Sequence, residues 1–347
     1  MEAASIPQPQ APPGKRFADF LVAQILWILL GGVLLLFFVA DPVKQLNAVV
    51  DGLSVGTIWA LIALGYTLVY GIIELINFAH GEVFMIGSFV SVSLYASLGL
   101  AESTAIPVLI IGVLAVLILS MLASGGLNVM IERVAYRPLR NAPKLAALIT
   151  AIGMSFILQN VGLLWRPTPD SPPDLIRSQQ QILDIGGVNI VRSDIFAIVL
   201  TLPLLVALLY FVGRTKYGKA MRATAQDPDA ARLMGINVDR TIGLTFLLGG
   251  LLAGAAGLIY ALYNGTVQFN QGFTAGLIAF TAAVMGGIGN LKGAVVGGLI
   301  IGVIQQTVET WVDNGSAWAP VAVFAILVLV MVFRPQGLIG EETREAG

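Results

Sequence analysis

The sequence predicts an all-α polytopic membrane protein of about ten transmembrane or broken helices, built as an inverted repeat with both termini in the cytoplasm. Three observations carry that reading. Hydrophobic residues make up 57% of the 347 and charged residues only 11%, at a mean hydropathy of +0.86, whereas roughly a quarter of the residues of a soluble domain are charged. Apolar runs of bilayer-spanning length recur along the chain. Lys and Arg collect in alternate connections, which orients a bundle. Backbone in hydrocarbon must satisfy its own hydrogen bonds, so the spans are helical.

Taken in order, residues 1–20 are rich in Pro and Gln, carry Lys15 and Arg16, and read as a disordered cytoplasmic lead. The run Leu21–Ala40 has the length of a span, and no small-x-small cleavage site follows it. It is therefore a retained first helix rather than a signal peptide. Further runs fall at 48–70, 72–97, 104–130, 145–165, 194–213, 241–263, 274–290, 293–311 and 317–333, so that 21–338 form one transmembrane domain and 339–347 a cytoplasmic tail. Between the second and third runs, 71–83 leave almost no room for a loop and predict a re-entrant or broken helix. The segment 166–193 holds Pro167, Pro169, Pro172, Pro173, Gly186 and Gly187 and reads as an ordered outside loop. With the N-terminus cytoplasmic, the inside segments hold fifteen of the 19 Lys and Arg residues, leaving only Lys44, Arg166, Arg177 and Arg192 outside.

Composition also excludes functions. A net charge of −1 without a basic, aromatic-interleaved patch gives no sign of a nucleic-acid partner; membrane lipid is the surrounding one. No cysteine is present and His80 is the only histidine, so a disulfide, a thiolate site or a zinc centre cannot be built. No Ser/His/Asp, Cys/His or metal-ligand constellation is legible, and the expectation is that the chain is not an enzyme and holds no cofactor. The segment Gly213–Ala220 has the first seven positions of a phosphate-binding loop. Ala220 replaces the magnesium-holding Ser or Thr, and the segment follows a membrane helix instead of a strand, so the match is rejected.

Three polar interruptions remain. The segment 214–240 contains Asp227, a natural N-cap, Pro228 at the first helical position, and Gly235 to close the helix. Two exposed turns are too short to span and suit a partner's grip. Ile76–Glu82 places Asn77, His80 and Glu82, preceded by Glu74, inside an apolar stretch; such groups face a cavity or the bundle interior, or else Asn77 and His80 cap a tight cytoplasmic turn. Met285–Ala294 interrupts the run 274–311 with Gly286, Gly287, Gly289, Asn290, Lys292 and Gly293. It reads as the mirror of the first break, with half-helix N-termini and a pathway at the repeat interface. The glycines alone, with Gly297, Gly298 and Gly302, also suit helix packing, as do Gly249, Gly250, Gly254 and Gly257. Asp51, Glu309 and Asp313 sit near span ends, at headgroup level.

The run Arg222–Arg240, with Asp229, Ala230, Ala231 and Gly235 in place, resembles the coupling loop of ABC-importer permeases. Gly65–Gly71, Ile76–Glu82, Glu132–Arg140 and Gly286–Gly289 resemble more specifically the branched-chain amino acid permease subunit of the LivH type, over about residues 48–338. The resemblance implies an importer in the bacterial cytoplasmic (inner) membrane. It would contain this permease, a second homologous permease, ABC ATPase subunits that hold ATP and magnesium, and an extracytoplasmic substrate-binding protein. It further implies that Ala230 and Ala231 allow close approach to an ATPase groove, with Leu233 and Met234 as apolar anchors, and that leucine, isoleucine and valine are the cargo. An importer of urea or short amides is the alternative within the same family. From other classes, a stand-alone channel or secondary transporter would use His80 and Glu82 as a proton relay, and an intramembrane hydrolase would need a catalytic pair.

Overall fold

The computed structural model describes residues 30–334 apart from 141, together with 28 and 336–339. Of the expected Leu21–Ala40 span, Leu30–Ala40 is helical (α1); its start, the lead 1–20 and residues 340–347 lie outside the described residues. There follow α2 (Pro42–Ile73), α3 (His80–Ser97), α4 (Ile106–Ile131) with a π-turn (Glu132–Tyr136) and a 3-10 turn (Arg137–Leu139), then α5 (Lys144–Trp165), β1 (Gln181–Ile185), β2 (Val188–Val191), α6 (Arg192–Arg214), α7 (Lys216–Gln226), α8 (Pro228–Leu233), α9 (Val238–Asn264), α10 (Gln271–Gly286), α11 (Leu291–Trp311) and α12 (Gly315–Phe333).

Among the described residues, seven helices are long and apolar enough to cross a membrane. The sequence predicts about ten passes. The shortfall has a local cause: α1 is described only from Leu30, α10 is short, and α3 carries His80, Glu82 and four serines along 18 residues. At the other extreme α2 runs for 32 residues, about 48 Å. Its start lies six residues before the expected one because Asp41 accepts the Lys44 N–H (3.0 Å) and Pro42 fills the first position, the same Asp-Pro pair that opens α8.

Small residues set the packing. Helix α2 lies along α11 and α4 along α9, each pair antiparallel. Gly52, Gly56 and Ala60 face Gly302, Leu299 and Gly298: a Cβ on Gly298 would stand 2.6 Å from the Ala60 nitrogen, and one on Gly56 2.8 Å from the Leu299 Cα. In the other pair a Cβ on Gly254 would stand 2.8 Å from the Met121 Cα and one on Gly250 2.8 Å from the Gly125 Cα. Ser120 donates to the carbonyls of Gly87 (2.8 Å) and Gly254 (3.1 Å), so α3, α4 and α9 are tied at one hydroxyl. Close backbone contact of this kind replaces the hydrophobic drive that lipid cannot supply.

The 166–193 segment contains an antiparallel hairpin, β1–β2, closed by Gly186 and Gly187 at φ of 63° and 92°. Asn47 of α2 holds it, accepting from the Asn189 N–H (2.8 Å) and donating to the Gly187 carbonyl (3.1 Å).

Replacing Gly298 by Val drives a branched side chain into the backbone of α2. We expect a loss of roughly 3 kcal/mol or more, at the top of the overpacking range, read as a lower unfolding midpoint of the purified chain in detergent. Gly126→Ala, where nothing lies within 4 Å of the added carbon, is expected to be neutral.

Candidate functional site

The first break is a re-entry. Helix α2 stops at Ile73 because Glu74 adopts a left-handed φ of 50°, and 74–79 turn back along it. His80 then opens α3 with its ring against Gly65, eight residues back from Ile73 and so about 12 Å up the helix. Asn77, His80 and Glu82 are all buried at 0–1% exposure, inside the bundle and off any cytoplasmic surface. Asn77 accepts from the Tyr136 hydroxyl (3.0 Å) and donates to Asn128 (3.4 Å), whose own amide donates to the Phe246 carbonyl (2.6 Å). Tyr136 also reaches the Ile76 carbonyl (3.3 Å). The Asn77 side chain is thus tied to α4 and the π-turn, and through Asn128 to α9, while the Ile76 carbonyl freed by the break is paired to Tyr136. His80 packs edge-on to Tyr66, with centroids 4.9 Å apart.

The segment that faces this break across the bundle is 265–270. Helix α9 ends at Gly265, φ 68°; Val267 exchanges backbone hydrogen bonds with Asp170 of the 166–193 segment (2.8 and 2.9 Å) and is buried beside Met85, Ile86 and Phe89. Gln271 then opens α10 in the interior. Gly272 and Gly276 lie against Gly81 and the Glu82 carboxylate, with no room for a Cβ on Gly81 or Gly272. Two helices therefore begin at one buried point and run apart.

This corrects the expected mirror at Met285–Ala294. That stretch is a tight corner between α10 and α11. Gly287 and Gly289 supply φ of 101° and 96°, Gly286 and Gly293 touch backbone to backbone, and Asn290 caps α11 by accepting from Lys292 and Gly293 (3.0 and 3.1 Å). Asn290 also donates to the Ile339 carbonyl (2.7 Å), while Leu338 and Ile339 bond the last carbonyls of α10. Glycine and Asn signal a break in both places; only burial distinguishes a corner from a re-entry. Nor does Glu309 stand alone at headgroup level: it accepts from Gln305 (3.0 Å), which accepts from the Trp59 indole (2.9 Å).

Helix α8 has its expected ends. Asp227 accepts from the N–H groups of Asp229 and Ala230, both at 2.9 Å, and Gly235 closes it at φ 82°. Leu233 and Met234 stand out at 88% and 82% exposure, Asp229 pairs with Arg232 (2.7 Å), and Ala230 is exposed. Ala231 faces the other way, at 4% exposure, and so packs on its own chain. The sequence reading missed α7, an 11-residue amphipathic helix whose N-cap is Thr215; the Thr-Lys-Tyr-Gly signal is present. Gly213 lies in α6 and Lys219 in α7, so the phosphate-loop lookalike is a corner between two helices.

Beside α7 and the α10–α11 corner, a cavity of about 1240 Å³ is lined by Thr67, Tyr70, Gly71, Arg222, Gly289, Asn290 and Lys292. Just past α8, Asp239 pairs with Arg137 (3.1 Å) and Arg140, and Arg140 also pairs with buried Glu132.

A multi-pass membrane bundle with interrupted helices and an exposed, capped loop helix fits a transport protein. The family model for "Branched-chain amino acid transport system / permease component" matches residues 48–332, and the chain belongs to that family. The high-affinity branched-chain amino acid transport system permease protein BraD of Pseudomonas aeruginosa is 40% identical over 304 residues, covering 85% of this chain and 95% of that one. LivH of Escherichia coli, of the same description, is 40% identical over 298 residues with the same coverage. The fructose import permease protein FrcC of Rhizobium meliloti is similar over less of its length: 32% identity over 171 residues, 47% of this chain and 48% of the relative.

Tyr136→Phe leaves one Asn77 acceptor and the Ile76 carbonyl short of a donor in a buried site. The expected cost is about 1–3 kcal/mol, measured as a lower unfolding midpoint. An unchanged midpoint would show that the break does not depend on this hydroxyl.

Proposed function

We propose that this chain is the membrane-spanning permease subunit of an ABC importer that translocates leucine, isoleucine and valine. The observation that carries the reading is 40% identity to BraD and LivH across 95% of their lengths. Its other parts are ABC ATPase subunits that hold ATP and magnesium, a second homologous permease, and an extracytoplasmic binding protein that delivers the amino acid. The assembly sits in the bacterial cytoplasmic membrane.

In this reading α1, α3 and α10 bring the passes to ten, α2–α5 and α9–α12 form the inverted repeat, and both termini are cytoplasmic. The exchange of partners supports the repeat: the first helix of each set lies antiparallel to the third helix of the other, α2 with α11 and α9 with α4. The distribution of Lys and Arg supports the orientation. The cavity lined by Gly289 and Asn290 then opens on the cytoplasmic side, and Gly286 and Gly287 shape its corner. Asn77, His80 and Glu82 serve as the hinge of the re-entry rather than as pathway lining.

Helix α8 is the ATPase contact. Leu233 and Met234 are its anchors, Asp229, Ala230 and Gly235 keep it short and rigid, and Ala231 seats it on the bundle. Closure of the ATPases on ATP moves α8, and α7 and α9 carry that movement into the two repeats.

Two measurements test this reading. Leu233→Asp and Met234→Asp should each cut ATP-driven uptake at least about tenfold, as loss of an interface anchor does, with no change in unfolding midpoint because both side chains are exposed; Ala231→Glu should lower uptake and midpoint together. Because the chain has no cysteine, Leu233→Cys gives a single thiol that a membrane-impermeant reagent should reach only from the cytoplasmic face. Labelling from outside would refute the orientation, and full uptake by the Asp variants would refute the coupling role.

A further inference from the structure

Glu82 is the third residue of α3 and is fully buried. One carboxylate oxygen, Oε1, accepts from the Ser155 hydroxyl of α5 (3.2 Å). The other, Oε2, has no hydrogen-bond partner and is aimed at Gly272, where it occupies the space a Cβ would need. Gly272 is the second residue of α10, a 16-residue helix whose N-cap residue, Asn270, makes no side-chain cap bond. A buried carboxylate oxygen without a donor therefore faces a helix start without a cap.

Charge decides what this arrangement can be. Among the described residues no ion pair includes Glu82, and His80, two positions earlier and so on another side of α3, offers it no hydrogen bond. A helix N-terminus carries the equivalent of about half a positive charge, so α3 and α10 together offer about one. That end charge favours the ionised over the protonated carboxyl at this point without a cation.

We propose that Glu82 is a positioning residue, an ionised pin shared by the N-termini of α3 and α10, and that its charge fixes how closely the two re-entrant helices approach. The pin holds the first repeat to the second at the one point where both begin in the interior. It deepens the importer reading, since any rocking of the repeats changes the α3–α10 approach.

The test uses the full chain in detergent for unfolding midpoints, and cells making the whole transporter for uptake and membrane accumulation. Glu82→Gln keeps the shape and the Ser155 contact but removes the charge; we expect a lower midpoint and about a tenfold loss of uptake, the scale of one helix-end charge interaction in a buried setting. The decisive pair is Glu82→Ala with Gly272→Asp against Glu82→Ala with Gly272→Asn. Both carry the same residual crowding against the Gly81 carbonyl (2.9 Å), and only the first returns a carboxylate to the gap. Recovery of midpoint, accumulation and uptake by Asp over Asn supports the pin even if the single variant fails to fold. Wild-type behaviour of Glu82→Gln, or equal recovery by Asn, overturns it. The midpoint needs no partner, so a midpoint that follows the charge while uptake ignores ATP would sink the importer reading and leave the pin standing.

Discussion

Backbone at 74–79 leaves helical geometry with Asn77 and Ala79 buried in the bundle, where lipid offers its polar groups nothing to bond, and 265–270 leaves it with Val267 buried between more exposed neighbours. Everything around them answers that deficit. Tyr136 and Asn128 are buried and bond the first stretch, and Asp170 of the 166–193 segment pairs with Val267 in the second. Gly65 leaves room for the His80 ring and Gly272 for the Glu82 carboxylate, while Gly81 lies against the α10 backbone at Gly272 and Gly276. Irregular backbone at membrane depth survives only where protein encloses it, and for the first stretch the enclosure includes α4, the π-turn and α9.

Most of the architecture was legible in the sequence because hydrocarbon imposes so few solutions. Seven of the expected spans recur among the described residues as helices long and apolar enough to cross, while in the run 72–97 helix α3 begins only at His80, and α8 was readable from Asp227, Pro228 and Gly235 alone. Two features were less so. Gly286–Asn290 and Gly265–Asn270 are both glycine and asparagine interruptions, and the first is richer in glycine; the second is the re-entry because Val267 and Gln271 are buried, and burial is a property of the neighbours. Ala231 shows the same limit. Its residue type fits either a contact with another subunit or a seat on this one, and the helix's rotation decides between them. The outer hairpin, by contrast, was announced by Gly186-Gly187 between short apolar runs and went unread.

Contacts run without a gap from the exposed helix to the interior. Asp239 opens α9 a few residues after α8 and pairs with Arg137 and Arg140; Arg140 reaches Glu132 in the π-turn; and Tyr136, in the same turn, bonds the Asn77 break. A π-turn is uncommon, and its position here lets Glu132 and Tyr136 face opposite ends of this chain of contacts.

The length of α2 has a mechanical side. Its glycine seam with α11 spans residues 52–60, while residues 67–72 line the cavity at its far end. Twelve residues, about 18 Å of helix, separate Ala60 from Ile72. Residues 61–69 between them are buried in the core, so a tilt of about 10° at the seam, about 3 Å at the cavity wall, has to carry the helices packed on that stretch with it. A single unbroken rod thus links a small angular change at the seam to the aperture of the cavity only together with its neighbours.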